Sequence, residues 1–66
     1  MKIILNGESR ECAKSITLGK LITELDIKVK VMAAAVNMEV VKTQNWDSHV
    51  LKDEDKVELL HFVGGG

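Results

Sequence analysis

The 66-residue chain holds nine basic and ten acidic residues, a formal charge of -1, with 45% of its residues apolar and 29% charged. That length allows one compact domain that buries only ~60% of the surface its unfolded chain exposes, which leaves no room for an elaborate buried active site. The near-neutral charge excludes the basic footprint needed to hold a nucleic-acid backbone, and the single cysteine, Cys12, excludes an intrachain disulfide and a cysteine-ligated zinc or iron–sulfur centre.

In chain order, the N-terminal segment is apolar only over Ile3-Ile4-Leu5 before Asn6-Gly7 interrupts it, too short for a signal-peptide core or a membrane span. A cytoplasmic protein, monomeric when free, is the expectation. Asn-Gly tolerates positive φ at both positions, so Ile3–Gly7 predicts a strand and a tight hairpin, with residues 8–12 returning antiparallel. Ser15 or Thr17 then caps a helix whose apolar positions Leu18, Leu21, Ile22 and Leu25 follow the i, i+3, i+4, i+7 spacing, with Lys20, Thr23 and Glu24 on the polar side.

The unbroken apolar run Val31–Val36 reads as a buried strand followed by a turn at 37–39, and Met32 and Met38 read as packing residues. Val40-Val41 forms a short partner strand, Thr43 to Ser48 a polar loop around Trp46, and Asp53-Glu54-Asp55 a solvated charged turn before a last strand over Val57–Val63. The order is ββαβββ, an α+β arrangement with one main helix packed on one face of a mixed sheet. That is the outline of a β-grasp, with a domain at 1–63 and a flexible glycine tail at 64–66.

The segment richest in chemical meaning is Gly64-Gly65-Gly66 joined directly to the last strand. Residues without a Cβ can thread a narrow channel and bring their backbone close to a partner's catalytic groups. A carboxylate resists nucleophilic attack, but conversion to an acyl-adenylate supplies a leaving group that sulfur can displace, so Gly66 is the expected modified residue and Gly64 and Gly65 the threading segment. The competing reading is an inert, frayed end.

The first and last strands carry apolar residues on both faces. If Ile3, Leu5, Val57 and Leu59 face the helix, then Ile4, Leu60 and Phe62 lie on the other side, where 66 residues provide no second layer. A partner-docking patch is one reading; coverage by the 43–52 loop with Trp46 is the other. Cys12 reads as a small core residue rather than a reactive thiol. His49 and His61 have no partner at metal-ligand spacing and read as surface or edge residues, and the acidic turn lacks the ligand series of a calcium loop, so no metal site is expected.

The opening Ile3–Gly7 strand and turn, the Thr17-Leu18-x-x-Leu21-Ile22-x-x-Leu25 helix, Ala34-Ala35-Val36-Asn37, and Leu51–Leu60 leading to Gly65-Gly66 together resemble the ThiS family, the sulfur carriers of thiamine thiazole synthesis. The resemblance extends more distantly to the MoaD and ubiquitin branches of the β-grasp superfamily. It implies a non-catalytic carrier that binds no cofactor itself. Its Gly66 is adenylated by a ThiF-type adenylating enzyme using ATP and magnesium, converted to a thiocarboxylate with sulfur from a cysteine desulfurase route, and presented to a ThiG-type thiazole synthase.

The chain departs from the family pattern at Gly64, where a larger residue is common, and at Glu54, where glycine is usual. A MoaD-like molybdopterin-synthase small subunit or another ubiquitin-like carrier is the nearest alternative. A β-grasp interaction module with an inert tail is the alternative from another class.

Overall fold

The computed structural model describes residues 1–25 and 31–61. Strand β1 (Lys2–Leu5) and strand β2 (Glu8–Glu11) form the expected hairpin, in register from Lys2 opposite Glu11 to Leu5 opposite Glu8. Its turn places Asn6 at φ 48° and Gly7 at φ 86°. Both values lie in the left-handed region that a two-residue type I′ hairpin requires and that Asn-Gly accepts at little cost.

Helix α1 (Leu18–Glu24) starts at Thr17, whose Oγ1 accepts the Lys20 N–H at 3.1 Å. Thr17 is therefore the cap, and Ser15, at φ 62°, belongs to the turn before it. The cap satisfies one of the four N–H groups that a helix start leaves without a partner. Leu18, Leu21 and Ile22 are buried and Leu25 is half-buried, while Lys20, Thr23 and Glu24 face solvent, as the helical spacing predicts.

Strands β3 (Val31–Val36), β4 (Glu39–Val41) and β5 (Lys56–His61) complete a five-stranded sheet in the order β2-β1-β5-β3-β4. The last strand lies at the centre, parallel to β1 with Leu5 opposite Val57, and antiparallel to β3 with Val36 opposite Val57. Residues directly opposite share a face, so Ile3, Val57, Leu59, Ala34, Val36 and Val41 point toward α1 and join Ile16, Leu18, Leu21, Ile22 and Leu51 in one core. Each fully buried aliphatic side chain contributes about 1.5–3 kcal/mol relative to exposure.

Several expectations change. Thr43–Ser48 is a 3₁₀ helix rather than a loop. Trp46 anchors it by donating Nε1–H to the Val41 carbonyl at 2.9 Å and packing half-buried against the core, so Trp46 lies on the helix side and does not cover the other face. Gly19 in α1 faces this 3₁₀ helix at close range: a Cβ there would displace the Asp47 carboxylate and lie 3.3 Å from the Asp47 Cα.

Strand β3 is buried on one face only: Ala34 and Val36 are in the core, whereas Ala33 and Ala35 are half-buried on the face that no helix among the described residues covers. Met38 is not a packing residue, for it is 87% exposed in a second left-handed turn, Asn37 at φ 52° and Met38 at φ 74°. The expected last strand, Val57–Val63, is seen as Lys56–His61; Phe62 and Val63 lie outside the described residues.

Candidate functional site

The parallel pairing of β1 with β5 puts the two strands' C-terminal ends at the same end of the sheet, where the β1–β2 turn lies and from which the chain continues toward Gly66. Two asparagines hold β5. At its start, Asn37 Oδ1 accepts the Lys56 N–H at 3.0 Å and Asn37 Nδ2 donates to Asp55 Oδ1 at 2.9 Å. Near its end, Asn6 Oδ1 accepts the Leu59 N–H at 2.8 Å and Asn6 Nδ2 donates to the Leu59 carbonyl at 3.4 Å.

The acidic turn is also structural. Asp53 Oδ1 accepts the Lys2 N–H and Asp55 Oδ2 the Lys52 N–H, both at 2.9 Å. Glu54 between them has φ 68°, the left-handed conformation for which glycine carries no Cβ penalty.

Of the expected docking residues, Leu60 is 62% exposed and Ile4 is half-buried on the same uncovered face. They are not adjacent: Ile4 lies opposite Lys56 and Leu60 opposite Ala33, with Glu58 between them along β5. Phe62, Gly64, Gly65 and Gly66 lie outside the described residues. Reading the sequence missed Val40, 76% exposed opposite Ala35, and Met38, which lines a hollow with Ile4, Gly7, Lys56 and Glu58. The period-two alternation of β3 and β4 was the signal that could have placed Val40 and Ala35 together on this face.

Cys12 is half-buried against the core, its backbone paired with Met1 by N–H donation in both directions at 2.9 Å. His49 is half-buried, and its carbonyl accepts the Leu18 N–H at 2.8 Å. Among the described residues, no group of three His, Cys, Asp or Glu is arranged to hold a metal ion, and no helix is long and apolar enough to cross a membrane. A roomy hollow lined by Met1, Lys14, Val50, Leu51 and Asp53 opens at the opposite end of the sheet from the Leu59–Asn6 bonds.

A five-stranded mixed sheet packed against α1, with its last strand inserted centrally beside its first, is a ubiquitin-like β-grasp fold of the α+β class. The crystal structure of thiamine biosynthesis protein ThiS from Geobacter metallireducens superposes with a TM-score of 0.83 at 31% identity, over 100% of both chains.

The ThiS family model matches residues 3–66. The sulfur carrier protein ThiS of Escherichia coli is 30% identical over 66 residues, the full length of both proteins. A thiazole synthase of Paramagnetospirillum magneticum is 35% identical over the same 66 residues, and there the chain spans only 20% of the relative's length. The chain belongs to the ThiS family.

Proposed function

We propose that this protein is a cytoplasmic sulfur carrier of thiamine biosynthesis, a co-substrate rather than an enzyme, with the Gly66 carboxylate as its reactive group. The observation that carries the reading is the family match along residues 3–66, which runs through the glycine tail. One carboxylate oxygen attacks the α-phosphorus of ATP in a ThiF-type partner, forming the acyl-adenylate and releasing pyrophosphate, while magnesium neutralises the phosphate charge. A persulfide sulfur drawn from a cysteine desulfurase route then attacks the acyl carbon and expels AMP, forming an acyl disulfide. A second thiol attacks the sulfur of the cysteine that bore the persulfide, breaking the S–S bond to form a new disulfide and releasing the thiocarboxylate. Gly64 and Gly65 admit the tail to the partner's channel because they add no side-chain bulk.

Delivery to a ThiG-type thiazole synthase is supported by the relative in which a segment like this chain makes up a fifth of a thiazole synthase. Ile4, Leu60 and Phe62, extended by Val40 and Met38, form the docking side. Exposed apolar groups on an uncovered sheet face are the surface such a transient partner would use.

The test is ATP–pyrophosphate exchange catalysed by a ThiF-type enzyme. Exchange should depend on this chain and vanish when the Gly66 carboxylate is converted to its amide. Exchange that persists with the amidated chain would overturn the assignment of the reactive group, and no exchange with the intact chain would overturn the carrier reading.

A further inference from the structure

The β1–β5 ladder ends before β5 does. The Ile4 N–H donates to the Asp55 carbonyl and the Asn6 N–H to the Val57 carbonyl, each at 2.9 Å, after which β1 leaves the sheet through the Asn6-Gly7 turn. Strand alternation directs the N–H and C=O of Leu59 toward the space that β1 has left. Leu59 is only 6% exposed, and a buried backbone group left without a partner is destabilising. The Asn6 side-chain amide takes both groups, donor to acceptor and acceptor to donor, and so supplies one more rung of the ladder.

Asn37 is the natural comparison. It too opens a left-handed turn and pins β5 through its side-chain amide, but at Lys56, where the strand begins. Turn chemistry alone accounts for an asparagine at either position. What sets Asn6 apart is that its bonds lie at the end of β5 that leads to the reactive carboxylate.

We propose that Asn6 is a positioning residue for the C-terminus: by closing the rung at Leu59 it fixes the point and direction in which β5 hands the chain on toward Gly66, and so helps align the Gly66 carboxylate with ATP in the activating enzyme. This rests on the carrier reading above. A loosened strand end shifts the point from which the rest of the chain starts, and misplacement of about 1 Å at a reacting atom can cost ~10²-fold in rate.

The experiment compares Asn6→Gly with Asn37→Gly, since glycine keeps the positive-φ turn at both sites and removes only the amide. Both are assayed below their unfolding temperatures, with circular dichroism showing that each is folded. Adenylation by a ThiF-type enzyme at saturating carrier should fall in kcat on the order of 10-fold or more for Asn6→Gly, with KM little changed, while Asn37→Gly keeps the native kcat. Hydrogen exchange at the Leu59 amide should quicken in Asn6→Gly and not in Asn37→Gly. A native kcat for Asn6→Gly, parallel losses in both variants, or an unchanged Leu59 amide would each overturn the inference while leaving the carrier reading intact. Failure of the native chain to be adenylated would overturn the carrier reading, and this inference with it.

Discussion

The two faces of the sheet are built from the same strands, yet among the described residues only one is covered. On the helix side, Ile3, Leu18, Leu21, Ile22, Leu51 and Val57 are fully buried. On the other, Leu60 and Val40 stand mostly exposed beside half-buried Ile4, Ala33 and Ala35. The first face accounts for the fold. The second has no covering element among the described residues, which is why the proposed docking side is placed there. In a chain this short, residues that stabilise and residues that dock can be separated by a one-residue step along a strand.

The sharpest way to break this division is at the core. Leu21→Ala removes a fully buried side chain and should cost about 2–5 kcal/mol, comparable with the whole stability of roughly 3–5 kcal/mol that a core of this size supplies. Urea denaturation should find the variant largely unfolded before denaturant is added. A stable, cooperatively folding Leu21→Ala would show that the helix side is not what holds the domain together.

On the open face, Leu60→Asp should leave stability within about 0.5 kcal/mol of native but raise the KM of the activating enzyme for the carrier several-fold, as losing a central apolar contact worth about 1 kcal/mol does. A large fall in melting temperature would instead place Leu60 in the core. Smallest of all, Glu54→Gly replaces a residue at φ 68° and should stabilise the domain by about 0.5–1 kcal/mol, since the Cβ penalty relieved exceeds the entropy glycine adds to the unfolded chain. Thermal melting checks it, and a lowered melting temperature would mean that the Glu54 side chain makes a contact the domain needs.

Much of this was legible in the sequence because the decisive signals are local. Thr17 before Leu18, Leu21 and Ile22 announces a capped amphipathic helix, and Asn6-Gly7 announces its own turn. The apolar residues on both faces of β1 and β5 leave two readings, a docking patch or coverage by the 43–52 loop, and only the structure, with Trp46 packed on the helix side, removes Trp46 as the cover. What escaped has a physical reason. Thr43–Ser48 contains no periodic apolar pattern, and its 3₁₀ helix is held by bonds that such a pattern does not announce, Asn45 N–H to the Lys42 carbonyl and Trp46 Nε1–H to the Val41 carbonyl.

Met38 looked like packing because it borders an apolar run, yet the left-handed turn at Asn37-Met38 carries it into solvent. The bonds from Asn6 to Leu59 join residues far apart in the chain, and no local pattern encodes them. The functional tail was legible only through composition and resemblance: Phe62 and Gly64 to Gly66 lie outside the described residues.

The central claim is that sulfur is carried on Gly66 and not on the one thiol of the chain, Cys12. Incubation with a ThiF-type enzyme, ATP and a sulfur donor, followed by fragmentation mass spectrometry of the intact protein, tests this most directly. The account predicts that one oxygen is replaced by sulfur in the fragment containing Gly66, and that the modification survives a mild thiol reductant. Sulfur found on Cys12 as a reducible persulfide, with the Gly66 fragment unchanged, would contradict it.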